Sequence, residues 1–364
     1  MPLTDEGVLA HGIHMFTQTL TRRARRSPLL ELLTGPHGVD RYTELVDRTW
    51  TTGEARAKVV AVRRQTPRSV TLTLEPNQAF TGFLAGQHIN LTVEIDGRRR
   101  TRCYSPASAE GATHIELTIG RHDGGLVSSY LCDNARPGMV LGLDSVGGDF
   151  TMPTERPTRI LFVSGGSGIT PVMSMLRTMR DEGSDREIAF IHYARSPEEA
   201  CYADELAAMP GVRVLHGYTR EGAGDLTGYF DADHLAAAMP EPEAVYVCGP
   251  PALVDAVRAH CPDAKSESFV PPVFSAPAEA TGGRISFTDS GVEATDDGRP
   301  LLVQAEDAGL TPESGCRMGI CHSCTRRKTS GVVRNLITGT VSDAEEEDVQ
   351  ICVSTPVGDV EIAL

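Results

Sequence analysis

Apolar and polar residues alternate in five stretches between residue 55 and about residue 120: AKVVAVRRQ, SVTLTLEP, HINLTVEIDG, RTRCYSPAS and HIELTIGRH. A period of two puts every second side chain on one buried face, so each stretch predicts a half-buried β-strand. Asp96-Gly97 between two of them predicts a tight hairpin turn. Several short strands closing on themselves predict a small antiparallel barrel. After Thr158 the pattern changes. Nearly continuous apolar runs (RILFVSG, EIAFIHYA, VRVLHGYT, AVYVCGP) now alternate with helical stretches. That rhythm predicts a parallel α/β sheet, reaching to about Phe269. The Pro-, Ala- and Gly-rich segment FVPPVFSAPAEATGG then reads as a linker. The resulting organisation is an extension over 1–53, a β-barrel over 54–153, an α/β unit over 157–269, a linker over 270–281 and a last domain over 282–364. No internal repeat is present.

In the extension, Arg22, Arg23, Arg25 and Arg26 precede Ser27-Pro28 and the apolar run LLELL. A short amphipathic helix fits this pattern, either resting on a membrane surface or packed against the next domain. The N-terminus MPLTDEGVLAHGIHMF is too polar for a signal peptide, and no stretch of some 18 apolar residues predicts a membrane span. The 364 residues carry a net charge of −15, which disfavours nucleic acid as a partner. From Ala280 onward, seven Lys or Arg stand against fourteen Asp or Glu, a net of −7. Much of that acid is Asp343, Glu345, Glu346, Glu347 and Asp348. The run reads either as a solvated turn or as a face that steers a basic partner. Cys103, Cys132, Cys201, Cys248 and Cys261 are scattered, as expected of reduced thiols in a cytoplasmic protein.

Four other cysteines carry the chemistry. Cys316, Cys321, Cys324 and Cys352 are separated by four, two and twenty-seven residues. This is the C-x4-C-x2-C…C spacing of a plant-type ferredoxin, which holds a [2Fe-2S] cluster with two thiolates on each iron. Zinc sites use two C-x2-C pairs more often, and zinc is the competing reading. Ser314, Gly315, Gly319 and Ser323 are small enough to let backbone N–H groups reach the sulfurs.

The strand RILFVSG runs into Gly165-Gly166-Ser167-Gly168-Ile169-Thr170-Pro171 and then the helical VMSMLRTMR. Thr170 is expected to cap this helix, with Pro171 in its first position. Such a helix start receives an anionic pyrophosphate. A second glycine turn, Cys248-Gly249-Pro250-Pro251, follows AVYV and completes a cleft. At the end of IAFIHYA, Arg195 and Ser196 supply a charge and a hydroxyl suited to the extra phosphate of NADPH. Glu198 and Glu199 nearby keep NADH open. On the barrel, Arg102 and Tyr104 share one strand face, as a phosphate clamp and a stacking ring require. Gly124-Gly125-Leu126-Val127-Ser128-Ser129 opens a second helix able to receive an anion.

RCYS, GGLVS, GGSGITP, CGP and the four cysteines occur in that order. Over residues 55–364 the chain resembles the ferredoxin–NADP reductase superfamily, in the oxygenase and desaturase reductases with a C-terminal ferredoxin domain. The resemblance implies a flavin-binding antiparallel barrel, a nucleotide-binding parallel α/β domain and a β-grasp ferredoxin domain. By the family pattern, Arg102, Tyr104 and Ser105 contact the flavin and its phosphate, and Gly125, Val127 and Ser128 anchor the remaining phosphates. Gly166 and Thr170 hold the nicotinamide nucleotide, Cys248 and Gly249 lie beside the nicotinamide, and Glu267 and Phe269 close the flavin site. Ser105 is the residue placed to hydrogen-bond where the flavin receives hydride. RCYSPAS and GGLVSS resemble the FAD-using branch, with FMN as the alternative.

The resemblance implies electron flow from NADPH through flavin and cluster to an external acceptor protein. PHGVDRYTELVDRTW is similar to reductases serving actinobacterial fatty-acyl desaturases. The first expectation is therefore a membrane-bound non-haem iron desaturase or hydroxylase as acceptor. The protein itself would be cytoplasmic or peripheral to the membrane. The second is a soluble multicomponent oxygenase acting on aromatic or acyl-CoA substrates, with NADH as donor. A redox-sensing or zinc-binding module without turnover is the alternative from another class. His88, His122 and His322 are expected to be structural or exposed.

Overall fold

In the computed structural model, the described residues are 44–51, 53–183, 185–269 and 282–364. The predicted amphipathic helix, the basic cluster and the linker fall outside them.

Strands β1 (Arg56–Thr66), β2 (Ser69–Pro76), β3 (His88–Ile95), β4 (Arg98–Tyr104), β5 (Ile115–Gly120) and β6 (Val140–Gly147) form one sheet in the order β4-β3-β6-β1-β2-β5. All five pairings are antiparallel. The Ala107 N–H just past β4 donates to Glu116 O of β5 at 2.8 Å, bringing the two outer strands together. The predicted turn joins β3 to β4, with Asp96 at φ 52° and Gly97 at φ 72°, the left-handed conformations that a two-residue hairpin requires. The core takes Leu72 and Leu74 from β2, Ile89 and Leu91 from β3 and Leu117 and Ile119 from β5. Helix α1 (Leu126–Asn134) plugs one end with Val127 and Leu131. One departure from simple alternation matters. On β3 the polar positions His88, Asn90 and Thr92 are buried as well as the apolar ones. The outer face of β3 therefore lies under another part of the chain.

The second sheet is wholly parallel. It consists of β7 (Arg159–Gly165), β8 (Glu187–Ala194), β9 (Val212–Tyr218), β10 (Leu226–Thr227), β11 (Ala244–Cys248) and β12 (Lys265–Glu267), ordered β10-β9-β8-β7-β11-β12. Helices α2 (Ile169–Asp181), α3 (Ala203–Ala207), α4 (Ala232–Ala238) and α5 (Pro251–His260) connect these strands. Both faces are apolar, one facing α2 through Ile160, Phe162 and Phe190, the other through Leu161, Val163 and Ile191. That double burial explains the unbroken hydrophobic runs. The chain leaves β7 toward β8 on one side and later returns to place β11 on the other. The switch point therefore falls between β7 and β11, where parallel sheets of this type open a crevice.

The helix after β7 begins earlier than Thr170. A 3-10 turn over Gly166–Gly168 runs directly into α2, Gly168 is the N-cap, and Thr170 donates its hydroxyl to Ser167 O at 3.2 Å. Thr170 is thus inside the first turn rather than capping it. Gly166, at φ 56°, makes the turn that a side chain would resist.

The third part has β13 (Arg284–Phe287), β14 (Val292–Thr295), α6 (Leu301–Asp307), β15 (Thr325–Asn335), β16 (Val341–Ser342), β17 (Glu347–Gln350) and β18 (Ser354–Ile362). The mixed sheet runs β14-β13-β18-β15-β16, with β17 also paired to β15. Ile285, Phe287, Val360 and Ile362 pack against Leu301 and Leu302 of α6, which is the β-grasp arrangement.

Candidate functional site

The four spaced cysteines converge. Cys316, Cys321 and Cys324 come from the loop between α6 and β15, and Cys352 from the turn between β17 and β18. All four are buried. Their sulfurs fall into two neighbouring pairs, Cys316 with Cys321 and Cys324 with Cys352. Backbone donors surround them: Cys316 N–H reaches Cys321 Sγ at 3.1 Å and Met318 N–H reaches Cys316 Sγ at 3.3 Å. Gly315 has to be glycine, since a Cβ there would stand 2.5 Å from Cys321 Sγ. In each pair one sulfur is held below the ordinary thiol range: Cys321 by Cys103 and then Cys316, Cys324 by Cys352. Closely spaced sulfurs, one of each pair favouring the thiolate and one pair receiving backbone N–H groups, suit iron.

One side of the loop rests on the barrel, while Ile320 and His322 stay exposed. Asn90 Nδ2 on β3 donates to Cys321 O at 3.1 Å, and Arg102 Nη1 on β4 donates to Ser314 O at 3.3 Å. The Cys103 sulfur lies with those of Cys316 and Cys321, all three within 4.8 Å of one another. Cys103 is therefore set apart from Cys132, whose thiol donates to Ile119 O within the barrel. This loop is also what covers the polar face of β3. Arg102, expected as a phosphate clamp, spends part of its guanidinium on the loop and on Thr101 O.

At the β7–β11 switch point lies a cavity of 780 Å³, bordered by Arg68, His122, Gly166, Arg195, Gly249 and Phe269. That size suits a nucleotide. The two glycine turns meet tightly: a Cβ on Gly168 would be 2.1 Å from Cys248 O. Arg195 lies half exposed at the rim, 3.8 Å from Glu199, and Ser196 is buried beside it. Thr170 is buried in the first turn of α2. Arg68 and Tyr229 also line this cavity. Arg68 is far from any glycine turn in sequence, and although Tyr229 follows Gly228, that bend carries no nucleotide-type motif, so no sequence signal singles either out.

On the barrel, Tyr104 packs against the core edge, and Ser105 is buried with its Oγ lacking a hydrogen-bond partner among the described residues. Such an orphaned hydroxyl calls for a bound group, as a flavin would supply. Gly125 caps α1, and a Cβ there would lie 2.6 Å from Ser128 Oγ. Ser128 in turn accepts from His122 N–H at 3.2 Å, while Val127 is buried in the barrel core.

Across the parallel sheet, His216, His192, Ser164, Cys248 and Glu267 stand in one register row over five strands. Ser164 Oγ and His192 Nδ1 are 2.7 Å apart. Burial pushes the Cys248 thiol up and His192 down, to about 3, so both are neutral at ordinary pH. At the row's end Glu267 is half-buried with its Oε2 buried and unpartnered among the described residues, and desolvation raises its carboxyl to about 8. Folded Glu267 thus keeps a proton that the unfolded chain loses above about 4.5. Stability from this group is full at low pH and falls as pH rises toward 8. Glu267→Gln is expected to flatten that decline, worth ~3 kcal/mol by pH 9. Urea unfolding of parent and variant at pH 5, 7 and 9 measures it.

Similarity to known proteins agrees with the geometry. Residues 59–152 match the oxidoreductase FAD-binding domain, 162–259 the oxidoreductase NAD-binding domain, and 287–357 the 2Fe-2S iron-sulfur cluster binding domain. An NADPH oxidoreductase of Mycobacterium tuberculosis is 33% identical over 344 residues, 90% of this chain and 89% of that protein. The glycine betaine monooxygenase reductase subunit of Pseudomonas aeruginosa is 30% identical, covering 86% of this chain and 96% of its own. Among solved structures, phthalate dioxygenase reductase, described as a modular structure for electron transfer from pyridine nucleotides to [2Fe-2S], superposes with a TM-score of 0.57 at 25% identity, over 85% of this chain and 97% of that one. With three cofactor-binding parts in this order, the chain belongs to the ferredoxin–NADP reductase superfamily, as a flavin- and NAD(P)H-dependent oxidoreductase that carries a C-terminal [2Fe-2S] ferredoxin domain.

Proposed function

We propose that this protein takes electrons from NADPH and delivers them, by way of FAD and the [2Fe-2S] cluster, to a non-haem iron desaturase or hydroxylase in the membrane. The observation that carries the relay is the seating of the cluster loop on β3 and β4, the strands bearing the flavin-binding sequence. FAD accepts hydride from the nicotinamide, and the cluster handles electrons one at a time.

The chain's own residues bind and orient these groups. Tyr104 offers a ring and Arg102 a charge to the flavin, Ser105 Oγ waits as an unpartnered hydroxyl, and the Gly125, Val127 and Ser128 turn faces the phosphates. Gly166, Gly249 and Phe269 border the nicotinamide crevice, while Thr170 and the neutral Cys248 thiol lie buried just behind its two glycine turns. Ser105 and Cys248 are the groups assigned to touch the reacting rings. Cys316, Cys321, Cys324 and Cys352 hold the irons. The working units in this reading are 54–153, 157–269 and 282–364, joined by a linker over 270–281.

Arg195 and Ser196 support the choice of NADPH, since a guanidinium at the rim can receive a phosphate. The mycobacterial relative named as an NADPH oxidoreductase supports it too. Anaerobic titration of the purified protein with each nucleotide tests the choice. NADPH is expected to bleach flavin and cluster bands at the lower concentration. Arg195→Ala should weaken that preference about tenfold, the worth of one charge-assisted contact. Equal reduction by both nucleotides in the parent protein overturns the assignment.

The exposed acidic residues Asp343, Glu345 and Glu346 just ahead of β17, with Asp348 on that strand, precede Cys352 and in this reading steer a basic acceptor. No helix among the described residues is long and apolar enough to cross a membrane. We place the protein in the cytoplasm, peripheral to the membrane that holds its acceptor. The second reading, the reductase of a soluble multicomponent oxygenase, draws on the glycine betaine monooxygenase relative. Co-sedimentation with membranes containing the acceptor separates the two.

A further inference from the structure

Asn90 and Cys103 face each other as a cross-strand pair on β3 and β4, so their side chains share one face of the sheet. That face carries the cluster loop. Cys103 Sγ donates to Asn90 Oδ1 at 2.9 Å. Asn90 Nδ2 in turn donates to Ser145 Oγ at 2.6 Å and to Cys321 O at 3.1 Å. Asn90 is only 3% exposed, so its amide is locked by neighbours on both sides. The Cys103 sulfur is thereby held beside the sulfurs of Cys316 and Cys321 and away from those of the other pair.

We propose that Cys103 and Asn90 are positioning residues for electron transfer, which seat the Cys316–Cys321 end of the cluster on the flavin-binding strand and favour its reduced state through the Cys103 S–H. The proposal rests on the cluster assignment made above. An electron added to the cluster increases negative charge on the ligand sulfurs. A neutral S–H between Asn90 Oδ1 and those sulfurs can turn its proton toward them, and a donor to a ligand sulfur favours the more negative form. Nothing is bonded or released: one hydrogen bond exchanges its acceptor. Asn90 supplies the alternative acceptor and, through Cys321 O, keeps the loop at a fixed distance.

Cys103→Val keeps bulk and removes the donor, whereas Cys103→Ser keeps a donor. Each is purified with its cluster, and three properties are measured: iron content, midpoint potential by reductive titration followed by electron paramagnetic resonance, and the rates of flavin and cluster reduction after mixing with NADPH. Cys103→Val is expected to retain full iron and normal flavin reduction. Its cluster potential should fall by about 59 mV, a tenfold change for one electron. Cluster reduction should slow about tenfold, and Cys103→Ser should restore most of both. Asn90→Leu should slow cluster reduction with iron retained. Unchanged potential and rate in an iron-replete Cys103→Val protein overturn the proposal. Loss of iron from Cys103→Val, with iron retained after substitution of one of the four assigned ligands, overturns the cluster assignment itself.

Discussion

Cys352→Ser is expected to give a protein that still takes hydride from NADPH and no longer passes electrons onward. Cys352 alone comes from the turn after β17, while its three companions sit on one loop. Its sulfur completes the pair with Cys324, which is held below the ordinary thiol range by that contact. Losing a group that merely orients a metal ligand costs 10- to 100-fold in affinity. Losing the ligand itself should cost more, and transfer to a one-electron acceptor protein should drop by more than about a hundredfold. Flavin bleaching by NADPH should persist, because the nicotinamide cavity is lined by barrel and parallel-sheet residues alone. Iron analysis, the visible spectrum and stopped-flow flavin reduction together read out the effect. Cys132→Ser serves as a control, since Cys132 is buried in the barrel core. Full iron and parental transfer in Cys352→Ser would defeat the ligand assignment.

The largest expected loss of stability lies elsewhere, at Arg177. This α2 side chain crosses from the parallel sheet to the barrel. Its guanidinium donates to Ala107 O at 2.8 Å and Glu116 Oε2 at 2.7 Å on the barrel, and to both oxygens of Glu205 on α3 at 2.8 and 2.6 Å. It also lies 5.2 Å from the centre of the Tyr202 ring. These contacts raise its pKa despite burial that opposes them, and it stays charged throughout. Arg177→Met leaves two carboxylates and a carbonyl at a domain boundary without their donor. Breaking a buried pair from one side costs 3–5 kcal/mol, and the partial exposure of both glutamates argues for the lower end, about 3 kcal/mol. Over the roughly 200 residues of the two clamped units together, that is a fall of about 6–12 °C in Tm. The triple change Arg177→Met, Glu116→Gln, Glu205→Gln should recover much of it, because no charge is then left unpaired. Thermal unfolding followed by flavin fluorescence checks both variants. A shift under one degree in Arg177→Met would mean that the clamp contributes little.

The strands with clean alternation or unbroken apolar runs were legible from sequence, because each buries one or two faces of its own sheet. Strand β6, over VLGLDSVG, lacks a regular pattern, and β10, β12 and β16 are two or three residues long. Their pairing is decided by neighbours far along the chain. The iron–sulfur domain was legible because three of its cysteines keep a fixed local spacing on one tight loop. The helix cap was misplaced by two residues, at Thr170 rather than Gly168, because Gly166–Gly168 coil into a 3-10 turn that propensity alone does not announce. The contact of Cys103 with Cys316 and Cys321 was invisible for a different reason. It joins residues more than two hundred positions apart, and nothing in RCYS signals what will lie over its outer face. Glu267 was legible as a position and not as an acid with a raised pKa, since burial is a property of the assembled sheet.

The close approach of Gly168 to the Cys248 carbonyl has a consequence for how such an enzyme can change. Main chain presses on main chain there, with no side chain between that selection could trim or enlarge. The width of the crevice floor is therefore common property of the backbone, whereas Arg195 and Ser196 stand on a separate rim after β8. Substitutions on that rim can therefore change what the edge of the cavity recognises while the depth of its floor stays the same.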